Sequence, residues 1–144
     1  MNELNDFFSF AELTRTAQKI ENVPNWEQIQ NLQQLRIFLN YVRKNFGKPI
    51  RVNSAFRSPA LNEMVGGSKT SAHLQGLAAD ICAASGTEAD NRLLLKILEY
   101  QLPNIDQLIS YHKVAGNRQS PIRFIHVGLS RFPGGIIRSQ RLYK

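Results

Sequence analysis

Cysteine and long apolar runs are both scarce in this sequence. Cys82 is the only cysteine, so no disulfide can form within the chain, and its apolar neighbours predict a core residue rather than a nucleophile. No segment approaches the ~20 consecutive apolar residues that cross a bilayer, and the amino terminus lacks the pattern of a secretory signal. We therefore expect a protein that is made in the cytoplasm without a recognisable signal peptide or a membrane-spanning segment.

Acidic residues are missing from the last part of the chain. Residues 1–106 contain 11 Lys and Arg and 11 Asp and Glu, whereas residues 107–144 contain 7 Lys and Arg and no acid. The net charge of +7 therefore arises entirely after Asp106. This asymmetry predicts either an anionic partner, such as a wall peptide, or basic side chains that keep an edge strand from pairing with other chains. A single tryptophan and the lack of a recognition motif argue against nucleic acid as that partner.

The composition is otherwise that of a globular protein, with 42% apolar and 20% charged residues among 144. We predict one domain over 1–144, with a helical lead-in at 1–47 and a core at 48–144. Asn25 and Gln28 have the spacing of a helix start, and Gly47 is placed to end that helix. Between them, one apolar stripe recurs every three or four residues: Ile29, Leu32, Leu35, Leu39, Val42 and Phe46.

The remaining elements are shorter. A first helix is predicted over 9–19, a helical turn over 58–65 and a third helix from Thr87 to about Tyr100. Strands are predicted over 50–56, 77–83, 105–111, 122–129 and 136–143. Helices followed by strands predict an α+β fold, in which amino-terminal helices pack on a small antiparallel sheet.

Two histidines and one carboxylate occur where apolar residues are expected. His73 and Asp80 are separated by small and apolar residues, and His126 lies within the predicted strand 122–129. A carboxylate in an apolar strand needs a cation, and two imidazoles with one carboxylate form the ligand set of a catalytic zinc. Spacing alone also allows hydrogen-bonded core histidines.

The surrounding residues resemble a known family. The similar segments are SAFRSP at 54–59, Asn62, VGGS at 65–68, SAHLQGLAADI at 71–81, DQLI at 106–109 and FIHV at 124–127. Together they resemble the zinc D-alanyl-D-alanine carboxypeptidase family, which includes phage endolysins that cut the L-alanyl-D-glutamate bond. The family shares its core fold with the Hedgehog amino-terminal domain.

The resemblance implies a site and a function. It implies that Zn²⁺ is held by His73, Asp80 and His126, and that Arg57 and Ser71 bind the substrate near the metal. The implied activity is hydrolysis of peptide bonds in peptidoglycan stem peptides, either as a carboxypeptidase or as an endolysin-like endopeptidase. Such an enzyme would act at the cell wall after release from the cytoplasm.

The sequence departs from the family at the general base. Several relatives have an acid three residues before the last zinc histidine, where this chain has Arg123, and others have a Glu just after the Asp-Gln-Leu-Ile block. His112 is the first predicted base, because imidazole titrates near neutral pH, and Asp106 is the second. Tyr111 is a weak acid that could assist either. The alternative is a zinc-stabilised module that binds wall peptides without cutting them.

Overall fold

The computed structural model describes residues 6–131 and 134–144, and it confirms the predicted α+β fold. The helices are α1 (Phe10–Thr14), α2 (Trp26–Phe46), α3 (Pro59–Met64) and α4 (Glu88–Tyr100). The strands are β1 (Ile50–Ser54), β2 (Ala78–Ala83), β3 (Gln107–His112), β4 (Ile122–Gly128) and β5 (Gln140–Tyr143). Two 3₁₀ turns occupy Ala72–Gln75 and Leu102–Asn104. Within the described ranges, no helix has the length and apolar character that would let it span a membrane.

The five strands form one sheet in the order β1-β2-β4-β3-β5. The pairs β1–β2, β2–β4 and β4–β3 are antiparallel, as predicted. The expectation of a wholly antiparallel sheet needs correction at β5, which runs parallel to β3. Strand β4 is antiparallel to β3, and β5 pairs with the other edge of β3 after the chain has reversed direction. Strand β5 therefore runs in the same direction as β3.

The longest helix, α2, confirms the prediction made from its sequence pattern. The Asn25 side chain accepts from the Gln28 backbone N–H at 2.9 Å, and the Gln28 side chain accepts from the Asn25 N–H at 2.8 Å. Gly47 ends the helix in the left-handed conformation with a φ of 75°. The helix buries one face in the core that it shares with α4 and the sheet, and its buried apolar residues are Leu32, Leu35, Leu39, Val42 and Phe46. Cys82 is also buried, as predicted.

The first helix is shorter than predicted, because tertiary contacts take the place of its next turn. It ends at Thr14 rather than near Lys19. The Leu13 carbonyl accepts from the backbone N–H of Phe56, and the Thr14 carbonyl accepts from the side chain of Asn22, both at 2.9 Å. These carbonyls would otherwise accept from backbone amides one turn further along.

Helix α2 also holds the 3₁₀ turn at Ala72–Gln75, which carries His73. The Gln28 side chain donates to the Leu74 carbonyl at 3.0 Å, and the Asn31 side chain donates to the Gln75 carbonyl at 2.9 Å. Gly76 follows at a φ of +75°, and a Cβ on it would lie 2.8 Å from the Gln28 carbonyl oxygen. Only glycine permits both this backbone conformation and this close approach.

We expect Gly76→Ala to destabilise the protein by about 2–4 kcal/mol, the sum of a left-handed alanine and overpacking against α2. Gly86→Ala is the matched control, because Gly86 has a φ of +73° with nothing within 4 Å of an added Cβ. Urea unfolding should show a loss of only about 1–2 kcal/mol for the control. Equal losses in both variants would mean that the contact with α2 contributes nothing.

Candidate metal centre

Asp80 lies in the middle of β2, and it is the one residue of that strand that is not fully buried. On β4 the residue directly opposite is His126, and on β1 it is Ser54. The His126 Nδ1 lies 2.9 Å from the Asp80 Oδ1. Antiparallel pairing therefore places a carboxylate and an imidazole side by side on one face of the sheet.

His73 reaches the same carboxylate from the 3₁₀ turn beside the sheet. Its Nδ1 donates to the Ala55 carbonyl at 2.6 Å, since a carbonyl oxygen can only accept. In the neutral ring Nε2 then carries a lone pair, and this atom lies 3.3 Å from the Asp80 Oδ1. A lone pair facing a carboxylate oxygen needs a proton or a metal ion between them.

The three predicted ligands converge, and their donor set fits zinc. One ligand atom from each of His73, Asp80 and His126 lies within 4.8 Å of the other two. Neighbouring ligands of a tetrahedral zinc lie about 3.4 Å apart, which follows from metal–ligand bonds of about 2.0–2.2 Å. The observed separations from Asp80 Oδ1 are 2.9 and 3.3 Å. Small adjustments of the side chains would therefore admit a divalent ion.

The contacts of Asp80 keep it ionised. Burial acts to raise the pKa of this carboxyl, but its contacts with the His126 and His73 rings outweigh burial and hold the pKa well below its ordinary value. Ionised carboxylate is the form that a metal binds, so the site needs no proton release from Asp80.

The ligand cluster lies in a cleft of about 770 Å³. Residues of the loop that precedes the 3₁₀ turn line it, together with residues of β3 and β4. Ser71 lines this cleft, as expected for the predicted substrate-binding serine, and its hydroxyl also accepts from the His73 backbone N–H at 3.1 Å. Ser71 therefore caps the turn that carries a predicted ligand.

Arg57 follows β1 and enters the cleft with only 12% of its side chain exposed. Its Nη2 lies 3.6 Å from the Asp80 Oδ2, and its Nε donates to the Ser54 hydroxyl at 3.2 Å. Burial lowers the pKa of Arg57, and the charge of Asp80 acts in the opposite direction. The structure thus brings the predicted substrate-binding arginine beside the three predicted ligands.

Asn62 is a site residue whose role the sequence did not indicate. Its side-chain oxygen accepts from Arg57 Nη1 at 2.9 Å, and its nitrogen donates to the Ser68 carbonyl at 2.9 Å. A Cβ on Gly67 would lie 2.0 Å from the same side-chain oxygen. The buried amide therefore links the arginine to the cleft loop. The sequence signal that could have indicated Asn62 is its position one turn after the Ser58 helix cap.

His112, the first predicted base, does not lie with the ligands. Its Nδ1 donates to the Ser120 carbonyl at 2.9 Å, and its Nε2 accepts from the Ser110 hydroxyl at 2.8 Å. Side chains alternate along β3, so Ile109 and Tyr111 line the cleft while Ser110 and His112 face the other side. With 2% exposure, His112 is a buried, hydrogen-bonded histidine.

Asp106, the second predicted base, does line the cleft. Both of its oxygens are held by Arg138, with Nε donating to Oδ1 at 3.0 Å and Nη2 to Oδ2 at 2.8 Å. The side-chain hydrogen bond from Arg138 is the main cause that keeps the pKa of Asp106 below its ordinary value. The carboxylate that lines the cleft is therefore ionised.

Comparison with known families gives a match to most of the chain. The family model described as Peptidase M15 matches residues 6–113, three quarters of the sequence. The match contains His73 and Asp80 and ends before His126, which joins them through the pairing of β4 with β2. A search of curated proteins found no match.

Proposed function

Because the chain belongs to the peptidase M15 family, we propose that it is a zinc-dependent peptidase that hydrolyses peptide bonds in peptidoglycan stem peptides. The observation that carries this proposal is the convergence of His73, Asp80 and His126 in one cleft. Zinc bound there would polarise the scissile carbonyl and lower the pKa of a water molecule. The products would be those of a D-alanyl-D-alanine carboxypeptidase or of an endolysin-like endopeptidase.

Arg57 and Ser71 are the proposed substrate-binding residues. A guanidinium can hold a peptide carboxylate through two parallel hydrogen bonds, and stem peptides end in a carboxylate. Arg57 is fixed by Ser54 and Asn62, so little side-chain freedom is lost when a peptide binds. This arrangement supports recognition of an anionic peptide group close to the ligand cluster.

Asp106 is the proposed proton acceptor. Apart from Asp80, it is the only side-chain carboxylate among the described residues that line the cleft. It would take a proton from the attacking water and pass it to the leaving amine. Its ion pair with Arg138 keeps it ionised and so able to accept that proton.

The basic carboxyl-terminal segment supports a place of action at the anionic cell envelope, once the protein has been released from the cytoplasm. Part of its charge is balanced within the fold by acids from earlier in the chain. The ion pairs are Arg131–Glu27, Arg138–Asp106 and Arg141–Glu99. The remaining cations are available for long-range attraction to wall polymers.

A second candidate is a zinc-stabilised module that binds wall peptides without cleaving them. The contacts of Asp106 with Arg138 favour it, because a carboxylate that accepts three hydrogen bonds from one arginine, two of them from the guanidinium, is a weak base. Binding without turnover would then be the whole activity.

Purified protein with zinc should release new amine termini from muropeptides, as mass spectrometry would detect. Asp106→Asn should slow this cleavage by about 10²-fold, because it removes a general base while keeping the shape of the side chain. Loss of one terminal D-alanine would indicate a carboxypeptidase, and larger fragments an endopeptidase. Binding of muropeptides with no cleavage of any stem-peptide type would instead support the second candidate.

A further inference from the structure

Tyr111 lies on the cleft side of the sheet, close to the ligand cluster. On β3, Ile109 is directly opposite His126, and Tyr111 is two residues further along and opposite Phe124. Two residues correspond to about 7 Å along a strand, and Asp106, which also lines the cleft, immediately precedes the other end of β3. A peptide bond held at the cluster would therefore have Tyr111 on one side and Asp106 on the other.

The ring of Tyr111 is fixed by stacking. Its centroid lies 4.4 Å from that of Phe124, with an angle of 14° between the ring planes. A stacked pair of this kind restricts the ring to one orientation. The phenol oxygen makes no hydrogen bond to any residue within 6–131 and 134–144, although the side chain is half-buried in the cleft. A fixed, unpaired hydroxyl at this position is available to a ligand.

The surroundings keep this hydroxyl protonated. Burial raises the pKa of Tyr111, the charge of Asp80 raises it further, and the charge of Arg57 opposes both. A neutral phenol donates a hydrogen bond but does not remove protons from water. Tyr111 is therefore suited to donate to an oxygen that gains negative charge.

We propose that the Tyr111 hydroxyl donates a hydrogen bond to the carbonyl oxygen of the scissile peptide bond as that oxygen becomes negatively charged. This inference rests on the proposed peptidase function. The water oxygen bonds to the carbonyl carbon, the C–N electron pair passes to nitrogen, and nitrogen receives the proton that Asp106 took from the water. The O–H bond of Tyr111 stays intact throughout, so it acts as an electrostatic stabiliser of the transition state.

Tyr111→Phe tests the proposal, because it removes the oxygen and keeps the ring that stacks on Phe124. We expect kcat on muropeptides to fall by about 10²-fold, the usual effect of losing one such donor. KM should stay within about twofold, since the bond forms only in the transition state. The melting temperature and the zinc affinity should be unchanged. Tyr143→Phe, on β5 and outside the cleft, should keep full activity.

A second readout does not depend on turnover. A phosphinate dipeptide analogue, whose tetrahedral anion resembles the transition state, should bind about 10²-fold more weakly to Tyr111→Phe than to the unchanged protein. Equal phosphinate affinity, or a loss of zinc affinity that makes Tyr111 a metal ligand, would overturn the inference. A protein that binds the phosphinate through Tyr111 but cleaves no muropeptide would overturn the proposed function and leave this hydrogen bond standing.

Discussion

His73→Ala is expected to lower the zinc affinity by at least about 10³-fold. After dialysis, the unchanged protein should retain about one zinc per chain and the variant should retain none. His73 supplies one of three converging ligand atoms, and its ring is held in place by the Ala55 carbonyl. With two ligands left, the remaining donors bind the ion too weakly to retain it. Zinc content by atomic emission, after dialysis against a weak chelator, measures the effect. Cleavage should disappear in parallel.

The chain provides its own matched control for this experiment. His112→Gln removes a histidine on the opposite side of β3 and should leave the zinc content unchanged. Asp80→Ala should weaken zinc binding sharply and also leave Arg57 without its nearby carboxylate. Zinc retained by His73→Ala, or lost equally from His112→Gln, would contradict the assignment of the site.

Arg57→Ala is expected to reduce kcat/KM on muropeptides by about 10³-fold, because it removes a buried, hydrogen-bonded charge from the cleft. Arg57→Lys should recover only part of the loss, since lysine keeps the charge without the planar fork that binds a carboxylate in two places. Steady-state kinetics on one muropeptide measures all three proteins. A substrate-binding role predicts a rise in KM that exceeds any change in zinc affinity.

Arg51→Ala is the control for the arginine series, because Arg51 lies exposed on β1, outside the cleft. It should retain full activity and zinc content. The ion pair of Arg57 with Asp80 means that zinc affinity must be measured for each variant as well. An Arg57→Ala protein that binds zinc normally and cleaves at the original rate would remove Arg57 from the substrate site.

Local sequence signals were sufficient for most of the fold. The helix from Asn25 to Gly47 was predictable because its capping box, apolar stripe and terminal glycine all act within the segment itself. The early end of α1 was not, because Phe56 and Asn22 supply its partners from outside the helix. The direction of β5 was also beyond local signals, since it depends on which edge of the sheet is free.

At the site, the sequence by itself supplied the candidates, because His73, Asp80 and His126 occur in apolar surroundings and the resemblance to a known family points to Arg57. Only the tertiary structure decided which other polar groups join them. Alternation along β3 turns His112 away and Tyr111 inward, and the fold pairs Asp106 with Arg138 across 32 residues. The physical reason is that a strand presents two faces, and only packing and pairing with other strands determine which of them lines the cleft.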